Sequence, residues 1–190
     1  GPDPRDGNLI SKNVLEGVLI DTNVPITAEG VPASGNVIQN NLIGTAIDGL
    51  TPRGNEEPGV LVLFSDDNLI LENTIAYNSQ PGVVVEDSVG VVISRNGIFD
   101  NQGLGIDLVG GQENTDDVTA NDDRDPDMGS NNLQNAPVVT AAVNNGTTVV
   151  SGTLNSLPGR EYRIEFFSNT AADPSGFGEG LKRHYLIKKL

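Results

Sequence analysis

Four aspartates carry the chemistry first suggested by residue type and spacing: Asp66 and Asp67, then Asp87, then Asp107, recurring about every 20 residues. Cleavage of a glycosidic bond needs two carboxyl groups, one acting as acid and the other as base or nucleophile. A second acidic group reads Asp123-Arg-Asp125-Pro-Asp127-Met-Gly129. Alternate aspartates on an extended backbone project to one side and offer the hard oxygen ligands that calcium prefers. The run is not an EF-hand loop, because glycine falls at its seventh position and Gln134, not Glu, at its twelfth. Six acids crowd between Asp116 and Asp127, so the segment is either ordered by a cation, with Asp107 upstream available to join it, or simply solvated. Tyr77 and Phe99 are aromatic candidates for stacking on a sugar ring, or else they fill corners of the core. Other chemistries are closed off. There is no Cys, and the single histidine, His184, stands far from the acids, so no Ser-His-Asp or Cys-His nucleophile can be assembled. No phosphate-cradling glycine loop and no zinc-ligand spacing is present.

Composition limits the elements that could position these groups. The 190 residues include 23 Gly, 11 Pro, no Trp and only eight aromatics, and the apolar residues are mostly Val, Ile and Leu. That mixture favours many short strands joined by tight turns. No run of 18 apolar residues exists, so no membrane insertion is expected. The net charge of −15 is uneven: residues 1–136 sum to −17 and residues 137–190 to +2. An acidic body of this kind repels phosphate backbones, which argues against nucleic acid as a partner.

A repeat organises the body. A step of 23 residues takes Gly59-Val to Gly82-Val, Ile70 to Ile93, Asn73 to Asn96, Ile75 to Ile98 and Asn78 to Asn101. Earlier turns align if loops are inserted within Asn23–Ser34 and around Thr51–Pro58. Four columns are then expected: Ile10, Ile38, Ile70 and Ile93; Asn13, Asn41, Asn73 and Asn96; Leu15, Ile43, Ile75 and Ile98; and Lys12, Asn40, Glu72 and Arg95. Stacked coils rise about 4.8 Å each and bury their repeated aliphatics in one core. Asparagine at a corner tolerates left-handed backbone, and its amide can bond the asparagine of the next coil. Glu72 and Arg95 are expected to pair weakly on the outside. Four columns in register at 23 residues are not what an antiparallel sandwich produces. The fold class expected is all-β: a right-handed parallel β-helix of four to five coils, then a short antiparallel β segment. On this register Asp87 and Asp107 lie on adjacent coils near the same strand, one coil after Asp66 and Asp67.

The residues also resemble a known group. Asn41-Leu-Ile-Gly-Thr-Ala-Ile-Asp-Gly, with Gly54-Asn55 and Gly59-Val60 behind it, is similar to the β-helix repeat of large bacterial secreted and cell-surface proteins. Ala46 replaces the aspartate those repeats carry after Ile-Gly-Thr, and Asp48 follows two positions later. Gly105-Ile-Asp-Leu, the acids from Asn121 to Asp127 and Asn132-Leu-Gln-Asn-Ala-Pro-Val resemble the way such helices end. Ser151-Gly-Thr-Leu and Tyr162-Arg-Ile-Glu-Phe-Phe are similar to the β-module that follows. The resemblance implies an extracellular or cell-surface location and a place in a longer chain. Polygalacturonase-type β-helices add Gly-His-Gly and Arg-x-Lys to their aspartates, and both are missing here. Pectate-lyase-type sites need a base beside calcium-binding acids, and beyond its first few residues the helix body offers only Lys12, Arg53 and Arg95.

Four segments follow: helix coils 1–111, an acidic loop 112–136, a β-rich segment 137–180 and a basic tail 181–190. Strands are expected at Val138–Val143, Thr147–Leu154 and Tyr162–Ser168, turning at Asn144-Asn-Gly146 and Pro158-Gly159 and capping the helix end. The first residues already read as repeat without a capping element, so a longer parent or a homo-oligomer is expected. The tail departs from the family pattern and reads as foreign sequence or as a short amphipathic strand or helix. Two functions compete: a scaffold or polysaccharide-contacting module, and a small glycoside hydrolase or polysaccharide lyase using Asp66, Asp67, Asp87 or Asp107.

Overall fold

Apolar runs of two to four residues, each ended by Asn, Asp, Ser or Gly, are too short for a helix turn to propagate but suit one edge of a coil. In the computed structural model, which describes residues 3, 6–22, 33–171 and 177–184, these runs build three parallel sheets. The first contains β2 (Val18–Asp21), β5 (Val60–Leu63), β8 (Val83–Glu86) and β11 (Ile106–Leu108). The second contains β3 (Val37–Gln39), β6 (Leu69–Leu71) and β9 (Val92–Ser94). The third contains β1 (Leu9–Ile10), β4 (Leu42–Ile43), β7 (Thr74–Ala76) and β10 (Gly97–Phe99). Each coil visits the three sheets in turn, which makes the parallel β-helix expected from the repeat.

The core is the stack of inward side chains. Ile70, Ile75, Ile43, Val60, Val62, Val83 and Val85 are fully buried. Ile38, Ile70 and Ile93 pair in register as expected. Ile10 does not join them. It pairs with Ile43 and heads the column Ile43, Ile75, Ile98. Leu15, expected in that column, lies outside any strand and is exposed. The first coil therefore slips: Asn8, not Asn13, bonds to Asn41, at a sequence distance of 33, and Asn13 bonds to Asn55 instead. Leu9-Ile10 fits the inward position of either sheet, and loop closure depends so weakly on length that spacing could not choose between them. The Gly-Val signature has a packing cause. A Cβ on Gly82 would lie 2.5 Å from Ile98 Cγ2 and 2.8 Å from the Gly105 carbonyl oxygen.

Asparagine ladders tie the coils together at two corners. Asn41 donates through its backbone N–H and its amide to Asn73 Oδ1, both at 2.9 Å, and Asn73 repeats this to Asn96. Asn13, Asn55, Asn78 and Asn101 form the second ladder. At six ladder positions the left-handed backbone lies one residue before the asparagine, not on it. Asn40, Glu72 and Arg95 hold it at one corner, and Lys12, Tyr77 and Asp100 at the other. Lys12 thus belongs with the second corner and not with Glu72. Asn41, Asn55, Asn73, Asn78 and Asn96 are buried, where an amide that both donates and accepts is needed. Glu72 and Arg95 form the expected pair at 3.0 Å.

The end of the helix is closed by segments from further along the chain. The Ser130 hydroxyl accepts from Asp87 N and donates to the Val109 carbonyl. The Glu165 carboxylate accepts from Arg95 N and the Ser94 hydroxyl. Glu179 accepts from the backbone and side chain of Asn101, while Gly180 pairs with Ile98 across an antiparallel bridge. The hairpin of β12 (Val138–Asn144) and β13 (Thr148–Thr153) forms as expected, but it does not cap the helix: nearly all of its residues are exposed. Of the third expected strand only β14 (Phe166–Ser168) forms, paired with β15 (Lys182–His184). Residues 185–190 of the basic tail lie outside the described residues, as do 23–32 of the first expected loop.

Candidate functional site

Most of the candidate acids serve the turns in which they stand. Asp66 Oδ1 accepts the Val89 N–H one coil away at 2.8 Å. Asp67 is left-handed and donates its own N–H to the Val89 carbonyl. Asp87 is left-handed and exposed, and its N–H is the one held by Ser130. Asp48, which stands near the aspartate position of the family repeat, accepts Leu50 N, Thr51 N and the Thr51 hydroxyl. These bonds, that of the Thr51 hydroxyl foremost, hold its pKa down at about 2. The Asp66 and Asp48 carboxylates satisfy backbone donors where the chain bends, as short acidic side chains commonly do, whereas Asp67 and Asp87 are held through their own N–H groups.

Asp107 differs. It occupies the centre of β11 and pairs with Val84, not with Asp87. Its neighbours Ile106 and Leu108 line a cavity at the end of the core, so the alternation of a strand turns Asp107 to the outer face. There it is only 8% exposed, and its Oδ1 atom is buried without a hydrogen-bond partner. Burial, then the charges of Glu113, Asp117 and Glu86, push its pKa up to about 6. A carboxyl raised in this way opposes folding once ionised. The stability it costs is absent below pH 4 and appears as the pH rises through about 6.

One set of three acids converges among the described residues: Asp122, Asp125 and Asp127, each offering an oxygen within 4.8 Å of the others. Sequence spacing favoured Asp123 over Asp122. The backbone is left-handed at Arg124 and Asp125, which breaks the extended alternation and turns Asp123 away to accept from Asn155. Asp125 is buried and accepts from Asn135 N at 2.9 Å and from the Ser156 hydroxyl. Asp127 Oδ1 is buried with no hydrogen-bond partner. Burial, followed by the Asp122 and Asp125 charges, raises the Asp127 pKa. Asp125 and Asp127 stand on the wall of the end cavity, about 970 Å³, whose floor includes Ile93, Ile98, Ile106 and Leu108.

Tyr77 and Phe99 meet edge-to-face with ring centroids 5.6 Å apart. Phe99 is buried, and the Tyr77 hydroxyl donates to the Leu50 carbonyl. The pair therefore packs at a corner, with Phe99 buried and Tyr77 half-buried beside a surface pocket that includes Lys12, Asn13 and Glu56. Sequence reasoning placed Asp122 beside the metal-ligand candidates without choosing it, and assigned no role to Glu113, Asp117, Glu165 or Glu179. Glu179 in particular meets its partner Asn101 across 78 residues, and no local pattern marks it.

No helix is long and apolar enough to cross a membrane among the described residues. No solved structure matches the chain. Residues 5–153 match the family model described as the right handed beta helix region, and with three parallel sheets stacked in register the chain belongs to that family.

Proposed function

We propose that this chain is a non-catalytic scaffold module of an extracellular or cell-surface protein, presenting its outer β-helix faces to polysaccharide and stiffened by calcium at its C-terminal end. The observation that carries the non-catalytic reading is the use of the acids. The Asp66 carboxylate is engaged in a coil-to-coil bond, Asp67 and Asp87 stand at left-handed corners held through their own N–H groups, and the ion pairs Arg95–Glu72 and Arg163–Glu165 among the described residues involve none of the three. An enzyme of the glycoside hydrolase or polysaccharide lyase type is the second reading. It is favoured by Asp107 alone, since a carboxyl raised to about 6 has the character of a general acid. A reducing-sugar assay on a polysaccharide panel separates the two. No turnover is expected from the wild type; turnover abolished by Asp107→Asn or Asp87→Ala overturns the scaffold reading.

Calcium is proposed at Asp122, Asp125 and Asp127. Three carboxylates with backbone carbonyls and water can supply six or seven oxygens, and the unpartnered Asp127 Oδ1 needs a partner of this kind. A cation binding only the folded chain stabilises it by about 2.7 kcal/mol at a hundredfold excess over its dissociation constant. For a chain of this size that raises the melting temperature by about 5–10 °C. Calorimetry with calcium and with chelator measures the shift. Asp127→Asn should diminish it and Asp123→Asn should keep it in full, because Asp123 faces Asn155. An Asp127→Asn variant that responds like the wild type sinks the site.

A further inference from the structure

Beyond β11 the chain turns at Gly110 and Gly111, both with positive φ, and folds into a small hairpin. Glu113 and Thr119 form its antiparallel bridge, Asn114 N donates to the Val118 carbonyl, and the Thr119 hydroxyl returns to the Gly110 carbonyl. Asp107 is more than nine-tenths buried, and its Oδ1 atom has no donor. Every charge acting on it is negative: Glu113 and Asp117 from the hairpin, and Glu86 from β8. A buried carboxylate in such company can be satisfied by a proton or by a metal cation. The donors here are oxygens alone, and a divalent cation is a partner that can satisfy the buried Oδ1 atom.

We infer that the outer face of the first sheet holds a second, separate divalent-cation site of the calcium class, with Asp107 as the direct protein ligand and the hairpin acids Glu113 and Asp117 closing over the ion. Asp107 is not a member of the convergent trio Asp122, Asp125 and Asp127. The acids around it are not drawn into one coordination sphere, so the ion keeps part of its water shell and the hairpin carboxylates reach it through water, as calcium's flexible coordination permits. Glu113 Oε1 already accepts the Gly110 N–H, which ties its carboxylate to the hinge of the hairpin.

The test is calcium titration of the full chain by calorimetry at pH 7.5, with hydrogen exchange followed at residues 111–119. Asp107→Asn should lose one bound ion, whereas Asp127→Asn should retain that ion, so failure of this site and failure of the trio read out separately. Calcium should slow exchange in the hairpin of the wild type and of Asp127→Asn but not of Asp107→Asn. The exposed-hairpin double variant Glu113→Gln, Asp117→Asn should weaken binding severalfold, and it decides the matter if Asp107→Asn misfolds. The inference is overturned if the Asp107→Asn or the hairpin variant binds calcium with wild-type stoichiometry and affinity. It is equally overturned if the Asp107 carboxyl titrates near pH 6 with no change on adding calcium.

Discussion

Ile70→Asp lowers the stability of the chain by more than about 4 kcal/mol, with a fall in melting temperature of about 10–15 °C or outright loss of folding. Ile70 is fully buried in the middle strand of the second sheet, with Ile38 on one side and Ile93 on the other. The substitution removes an aliphatic from a continuous stack and places a carboxylate where no donor can reach it. Both effects act together, through lost apolar burial and through the cost of an unpaired charge. Thermal unfolding followed by circular dichroism measures it. A variant melting within a few degrees of the wild type would falsify the packing of this column. Glu72→Ala, by contrast, removes only half of a surface ion pair with Arg95 and should change stability by less than about 1 kcal/mol.

Asn73→Leu is the second large effect, expected on the order of 3–5 kcal/mol although the new side chain is apolar and of similar size. Asn73 accepts from Asn41 N and Nδ2, and donates to Asn96 Oδ1 and to the Ile38 carbonyl. Leucine leaves Asn41 N and Nδ2 without their acceptor, each costing about 1–3 kcal/mol, and takes one donor each from Asn96 Oδ1, which keeps the Asn73 N–H, and from the Ile38 carbonyl. Chemical denaturation gives the number. A cost below about 1 kcal/mol would mean that the corner is carried by the sheets and that the ladder is incidental to it.

Much of the fold was legible because identical residue types recur at a fixed step, and physical equivalence of the coils leaves no other cause for that. Ile38, Ile70 and Ile93 needed only the period. The first coil was not legible in the same way: Leu9-Ile10 satisfies two adjacent sheets equally, and insertions on either side of β3 and β4 erase the spacing that would decide. The left-handed corner was displaced by one residue because Asn40, Glu72 and Arg95 share no chemistry that marks them. The acids were harder still. Asp107 looks like any strand aspartate, and its burial depends on a hairpin whose position no periodicity encodes. Asp122 replaced Asp123 because two left-handed residues, Arg124 and Asp125, redirect the chain, and such a backbone is hard to foresee in non-glycine positions.

The way the second asparagine ladder stops has a consequence for how these molecules behave in numbers. Each asparagine in it accepts from the coil before and donates to the coil after, so the corner behaves like a growing polymer with a reactive end. Asn101 hands its donors to Glu179, whose ionised carboxylate accepts them and has nothing to pass on. In polymer terms Glu179 is a chain terminator: propagation ends on a unit that carries no onward functionality. With the Asn101 donors already taken, that corner has none to give to the first asparagine of another copy, so head-to-tail stacking into filaments, the hazard of any surface that repeats itself along one axis, loses this bond here.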